Sequence, residues 1–223
     1  TFEITRTAFK GEVMRVAEGI PPFKLSFEAK RLENNIGYIR FNVWIPTQAQ
    51  RFREAIRSLS DTKSLIIDLR SNPGGVGQLV NDVGGTMFAE KTSFGTSRRR
   101  NAQGEFIVNS QGNTYRARVV ILTDYSTGST SEIFTAGMQE TKRAQIIGER
   151  TAGAVLPAIV ERLPTGANFM YAIADYRTPN GTLLEGSGVE PDVEVRLTRP
   201  SLLEGRDLQM EEAVKTLRKV VEE

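Results

Sequence analysis

The stretch Ser64-Leu-Ile-Ile-Asp-Leu-Arg-Ser-Asn-Pro-Gly-Gly75 decides how this chain folds. Leu65, Ile66, Ile67 and Leu69 follow one another without polar alternation, the pattern of a strand covered on both faces. Asn72-Pro73-Gly74-Gly75 then turns the chain. Two further runs have the same character, Arg118–Asp124 (RVVILTD) and Ala144–Glu149 (AQIIGE), and Asn35–Trp44 reads as a strand before them. Helical patterns lie between. Thr47–Ser60 carries Phe52, Ile56 and Leu59 at helical spacing with Thr47 placed to cap it. Val76–Phe88 is a helix weakened by Gly84–Gly85. A third helix starts near Ser129 or Ser131 and turns Ile133, Ala136, Gly137 and Met138 inward. Strand, helix, strand, helix, strand implies an α/β layered core with crossover connections.

Other segments flank that core. Thr1–Phe9 and Phe23–Leu32 read as opening strands divided by Pro21–Pro22, and Ala158–Gly166 and Asn168–Gly181 as a hairpin turning at Pro164–Gly166. Lys91–Tyr115 is polar and strand-poor, a hairpin or an excursion. Asp207–Glu223 is an amphipathic helix, with Asp207 as its cap and Leu208, Val214, Leu217 and Val221 as its stripe.

Composition narrows the chemistry. At 223 residues the chain fits one large domain, or a domain with appendages. It has no cysteine, which excludes a disulfide scaffold, a thiol nucleophile and thiolate zinc sites. It has no histidine either, and no Asp-rich calcium loop, so neither metal nor cofactor is expected. The net charge of +2 leaves Ser97–Asn101 (SRRRN) as the one dense basic cluster. With no interleaved aromatics it reads as a solvated loop and not a nucleic-acid site. No signal peptide, transmembrane span or lipidation motif is present, and the strand-like opening suggests a fragment or a processed product.

Two stretches could carry a site. Gly74 and Gly75 follow the carboxyl end of a buried strand, where open α/β sheets bind ligands, and could turn N–H groups towards one. Alternatively they are a plain tight turn. In Asp124–Glu132 (DYSTGSTSE) serines sit where a strand turns into a helix. Ser129 or Ser131 could simply be an N-cap, with Ser131 the better placed. Ser129 could instead be a nucleophile, with the N–H of Thr130 and one from Gly74 or Gly75 forming an oxyanion hole.

Taken together, Gly37–Trp44 (GYIRFNVW), Leu65–Gly75, Ser126–Gly153, Ala174–Val195 (ADYRTPNGTLLEGSGVEPDVEV) and the closing helix resemble, in that order, the catalytic core of the C-terminal processing (tail-specific) serine peptidases. Interphotoreceptor retinoid-binding protein is a non-proteolytic relative of that family. The resemblance covers the chain from about Asn35 onward. It implies a ClpP/crotonase-like α/β core, with residues 1–27 leading in from an upstream PDZ domain and residues 28–223 forming the peptidase core. It implies Ser129 as nucleophile, Thr130 and the Gly74–Gly75 turn as oxyanion donors, a polypeptide substrate and an exported location.

One departure matters. In the processing branch a lysine serves the serine, but here the corresponding segment is Thr151-Ala-Gly-Ala-Val155 and the lysine position is Ala154. Lys142, roughly 16 Å along the third helix from Ser131, is too far to take its place. The Thr-Ala-Gly form is similar instead to the tricorn branch, where a histidine serves the serine and a glutamate orients it. That glutamate would be Glu185, which without the resemblance reads as a surface carboxylate beside a glycine turn. The histidine would come from a region N-terminal to this sequence. These residues alone are then expected to be inactive or nearly so. The alternative expectation is a pseudo-peptidase that binds a peptide or an apolar ligand in the same cleft.

Overall fold

The computed structural model describes residues 11–14 and 22–218. Its elements, in chain order, are β1 (Val13–Met14), β2 (Phe23–Lys24), β3 (Phe27–Leu32), β4 (Ile36–Phe41), α1 (Pro46–Ser58), β5 (Ser64–Asp68), α2 (Leu79–Gly84), β6 (Thr92–Arg99), β7 (Ala102–Val108), β8 (Arg118–Thr123), α3 (Thr130–Glu140), β9 (Ala144–Gly148), β10 (Ala158–Arg162), β11 (Asn168–Ala172), β12 (Asp175–Arg177), β13 (Val193–Glu194), α4 (Arg199–Leu203) and α5 (Leu208–Arg218). The opening strand expected at Thr1–Phe9 and the stripe residue Val221 lie outside the described residues.

The central sheet has six strands in the order β13-β9-β8-β5-β4-β3. Every pair is parallel except β3 with β4. The order follows the chain without reversal, so each crossover steps the same way. Right-handed crossovers then place their helices on one face. The burial pattern agrees. Leu65 and Ile67 of β5 join α1 (Phe52, Ile56), α2 (Val80, Val83) and α3 (Ile133, Phe134) in one core. Ile66, pointing the other way, joins Tyr38, Val120 and Ile147 against Ala213 and Leu217 of α5.

Three expectations change in detail. Lys91–Tyr115 is not strand-poor. β6 and β7 form an antiparallel hairpin, and β12, far along the chain, pairs with β6 as a third strand. This small sheet covers α3, where Phe94 lies so close that a Cβ on Gly137 would sit 2.4 Å from its ring. The arginines of Ser97–Asn101 are exposed around the hairpin tip. The first helix is not capped by Thr47. It starts at Pro46, with Ile45 as the extended N-cap residue, because proline's fixed φ and missing N–H suit the first turn. The helix expected over Val76–Phe88 is only six residues long and ends at Gly84, ahead of Gly85.

The C-terminal helix is tied to β5 by a buried charge network. Asp68, fully buried, accepts from the Tyr38 hydroxyl and, through both its oxygens, from the Arg70 guanidinium. Arg70 also donates to Asp207 Oδ1 at 2.8 Å and to Gln209 Oε1 at 3.1 Å. Burial pulls the Arg70 pKa down, but its hydrogen bonds to Asp68 and Asp207 outweigh that and raise it. Asp207 caps α5, accepting from the Met210 N–H at 3.0 Å. Half-burial pushes its carboxyl up, and the bonds from Arg70 and Met210 hold it below the usual range.

Candidate active site

Both sequence candidates lie past carboxyl ends of central strands, and the structure brings them into contact. β5 leads to Gly74–Gly75 and β8 leads to Ser129. A Cβ added to Gly74 would lie 2.7 Å from Ser129 Cβ and 2.9 Å from the Thr130 nitrogen. One added to Gly75 would lie 2.3 Å from the Trp44 carbonyl oxygen. With φ of +99° and +147°, these are positions where only glycine fits without distortion.

Buried polar residues hold the two turns together. Asn72 donates from Nδ2 to the Phe41 carbonyl, and its own carbonyl accepts from the Gly128 N–H and the Ser131 hydroxyl. Asp124 accepts from the Ser71 and Ser126 N–H groups and the Thr127 hydroxyl. The Thr130 hydroxyl donates to the Gly75 carbonyl at 3.0 Å.

Ser129, and not Ser131, is the N-cap residue of α3. Ser131 lies inside the first turn, fully buried, and its hydroxyl accepts from Trp44 Nε1 at 2.8 Å. With its proton donated to the Asn72 carbonyl and the indole held by its oxygen, the hydroxyl is a strut between turns. Ser129 is half-buried and has φ 53° and ψ −118°, a strained pair for a residue with a side chain.

The N–H groups near it divide into bonded and unbonded. Gly74's N–H donates to Asn72 Oδ1 at 3.0 Å. Among the described residues the N–H groups of Gly75 and Thr130 have no acceptor. Of the two glycines, Gly75 therefore keeps a donor available, at a helix N-terminus that already favours negative charge.

Glu132 does more than favour the helix dipole. Its carboxylate is fully buried and takes four donors. Oε1 accepts from the Thr151 hydroxyl at 2.6 Å and the Gly153 N–H at 2.7 Å. Oε2 accepts from the Ser129 N–H at 2.9 Å and the Ala154 N–H at 3.0 Å. It thereby pins the Thr151–Val155 segment against the start of α3. By itself a Ser-x-x-Glu spacing marks a favourable helix terminus. Nothing in it indicated that the acceptors would be shared with a segment some twenty positions further on.

Glu185 is exposed, and its Oε2 accepts from the N–H groups of Val155 at 2.8 Å and Leu156 at 3.2 Å. The Ala154 carbonyl in turn accepts from the Ser129 N–H at 3.1 Å. A single peptide unit thus connects Ser129 to Glu185, and among the described residues Glu185 Oε1 has no partner. Ala154 is exposed beside them. Among the described residues no cluster of side chains could hold a metal ion, and no helix is long and apolar enough to cross a membrane.

A carboxyl-terminal-processing protease of Synechocystis sp. is 30% identical over 175 residues, covering 78% of this chain and 41% of that protein. The chain thus spans less than half the length of this relative. A solved photosystem II D1 C-terminal processing protease superposes with a TM-score of 0.66 at 22% identity, over 77% of this chain and 48% of its own. Tricorn protease superposes with a TM-score of 0.64 at 22% identity, over 86% of this chain and 18% of its own. At those identities the two structures show a shared fold. The sequence profile of peptidase family S41 matches residues 35–195, most of the chain and both turns around Ser129, and the protein belongs to that family.

Proposed function

We propose that this chain is the catalytic core of a serine endopeptidase with Ser129 as nucleophile. The observation that carries the reading is the setting of Ser129. It sits in strained backbone at the N-terminus of α3, between the unbonded N–H groups of Thr130 and Gly75. Two such donors, fixed before substrate arrives, stabilise the oxyanion of a tetrahedral intermediate. In this reading Ser129 Oγ attacks the scissile carbonyl carbon and its proton passes to a base. The C–N bond then breaks, the base returns the proton to the leaving amine, and water releases the acyl group by the reverse sequence.

A general base must come within about 3 Å of the serine hydroxyl, or act through one water. These residues contain no histidine, and Ala154 occupies the lysine position. We therefore assign the base to an imidazole contributed from outside this sequence. Glu185 Oε1, the oxygen its backbone partners leave unused, would accept that ring's second N–H and fix its tautomer. An exported location belongs to the same proposal.

The test is labelling of the full-length gene product by a fluorophosphonate, with the adduct mapped by peptide mass spectrometry. Label on Ser129 that is lost in Ser129→Ala supports the reading. A native protein that takes no label at Ser129 and holds peptides without cleaving them is a binding protein instead.

A further inference from the structure

The segment pinned beside Ser129 continues directly into β10 and β11, which among the described residues pair only with each other. Two-stranded sheets in water are marginal unless something packs against them. This one is exposed along nearly its whole length, with only Tyr171 half-buried. It nevertheless carries apolar side chains on both faces. Ile159, Phe169 and Tyr171 share one face, with the two rings stacked at 5.4 Å. Val160 and Met170 face each other on the second, 41% and 71% exposed. Solvated hairpins alternate polar outward, and a ribbon apolar on both sides is built to be covered.

The ladder shows where a further strand can join. Leu163 donates to the Ala167 carbonyl and Ile173 to the Pro157 carbonyl. In antiparallel pairing, hydrogen-bonded positions alternate. Ile159 and Glu161 therefore bond to β11, and the N–H and C=O groups of Ala158 and Val160 point away, along the outer edge of β10. Among the described residues no strand pairs with that edge. At its root, Leu156 donates to Glu185 and the Ala154 carbonyl holds Ser129. The open edge therefore begins four residues beyond Ala154, the residue bonded to Ser129, and runs for about 16 Å, the length of a five-residue strand.

We infer that the outer edge of β10 receives the extended backbone of the polypeptide substrate as a third strand, with apolar substrate side chains resting at alternate positions on the hairpin. This rests on the reading of Ser129 as a peptidase nucleophile. The occupant follows from that continuity: a chain cleaved at Ser129 must leave the site along one of its walls, and this wall offers unpaired backbone and apolar surface together.

Val160→Pro removes the outward N–H of β10 and spares every ladder bond, because proline is tolerated at such edge positions. In the full-length protein we expect kcat/KM for a substrate of ten or more residues to fall about fivefold, the worth of one net hydrogen bond, mainly through KM. Turnover of a short reporter ester, which does not reach the hairpin, should fall less. Met170→Glu, at a side chain already mostly exposed, should raise KM for long apolar substrates more than for long polar ones. Thermal melts of both variants check that they remain folded. Label on Ser129 with long-substrate kinetics unchanged in both folded variants overturns the hairpin assignment alone. Loss in Met170→Pro but not in Val160→Pro overturns the choice of strand. A wild-type protein that self-associates, and that either substitution makes monomeric without a kinetic change, shows that a second copy covers the hairpin. Failure to label Ser129 at all overturns the underlying reading instead.

Discussion

Glu132→Gln tests the clamp that shapes the site while hardly changing its volume. The carboxylate takes two donors on each oxygen, and the amide can accept on only one side. In its better orientation the amide NH2 faces Thr151 and Gly153. The Thr151 hydroxyl can turn to accept, although it already accepts from the Val189 N–H at 2.7 Å. The Gly153 N–H then faces a donor and is left unmatched. Bonds to a charged acceptor contribute about 1.5–3 kcal/mol each, and the charge at the start of α3 adds about 0.3–1 kcal/mol. The expected loss is therefore about 2–4 kcal/mol, a large share of a typical domain's roughly 5–15 kcal/mol. Urea unfolding followed by tryptophan fluorescence reads it through Trp44, the single tryptophan. Because the unmatched Gly153 N–H adjoins Ala154, whose carbonyl accepts from the Ser129 N–H, the variant should also label more slowly at Ser129 when the remainder of the protein is present. A change below about 0.5 kcal/mol with unaltered labelling would refute the idea that this carboxylate organises the Thr151–Val155 segment.

Gly75→Ala places a Cβ against the Trp44 carbonyl at a φ of +147°, and it should lower the melting temperature measurably and abolish labelling even where the protein still folds. Ser129→Gly should be more stable than Ser129→Ala by about 1 kcal/mol in denaturant titrations, because glycine accepts φ 53° without strain; equal stabilities would remove the strain from the account. Asp207→Asn probes acid stability. A carboxyl held below its usual value stabilises the fold above about pH 4 and loses that contribution as pH falls through its native pKa. The wild-type advantage over Asp207→Asn in thermal melts should therefore be full at pH 6 and shrink below pH 4. Added salt should reduce it, since the Asp207 side chain is 42% exposed. An advantage that grows on acidification would contradict the sign.

The readable part of the fold was written in contiguous sequence. Leu65–Ile67 and Val119–Leu122 are apolar because both faces of each strand are covered, and no distant residue is needed to see it. For Lys91–Tyr115 a hairpin is one of the two local readings, since its strands carry no continuous apolar run; their third partner, Asp175–Arg177, lies far along the chain, and that pairing has no local signal. The site divides the same way. Ser129, Thr130 and the Gly–Gly turn could be singled out from local pattern and resemblance. Which glycine keeps an unbonded N–H is set locally, because Asn72 Oδ1 accepts from the Gly74 N–H two residues on, as asparagine side chains do in turns. Which serine is buried depends on Trp44 Nε1, a tertiary choice between serines whose local signals are equivalent. Glu185 looked like a surface carboxylate, and it is one by exposure; only its bonds to Val155 and Leu156 relate it to Ser129.

In the proposed mechanism Ser129 performs the chemistry with a base from beyond these residues. Peptide hydrolysis by the full-length gene product, compared with the same protein carrying Ser129→Ala and with residues 1–223 alone, tests it most directly. Cleavage by the full-length protein is expected, with at least a thousandfold loss in Ser129→Ala, on the order expected for removing a catalytic nucleophile, and little or no cleavage by residues 1–223. Hydrolysis that survives Ser129→Ala would contradict it.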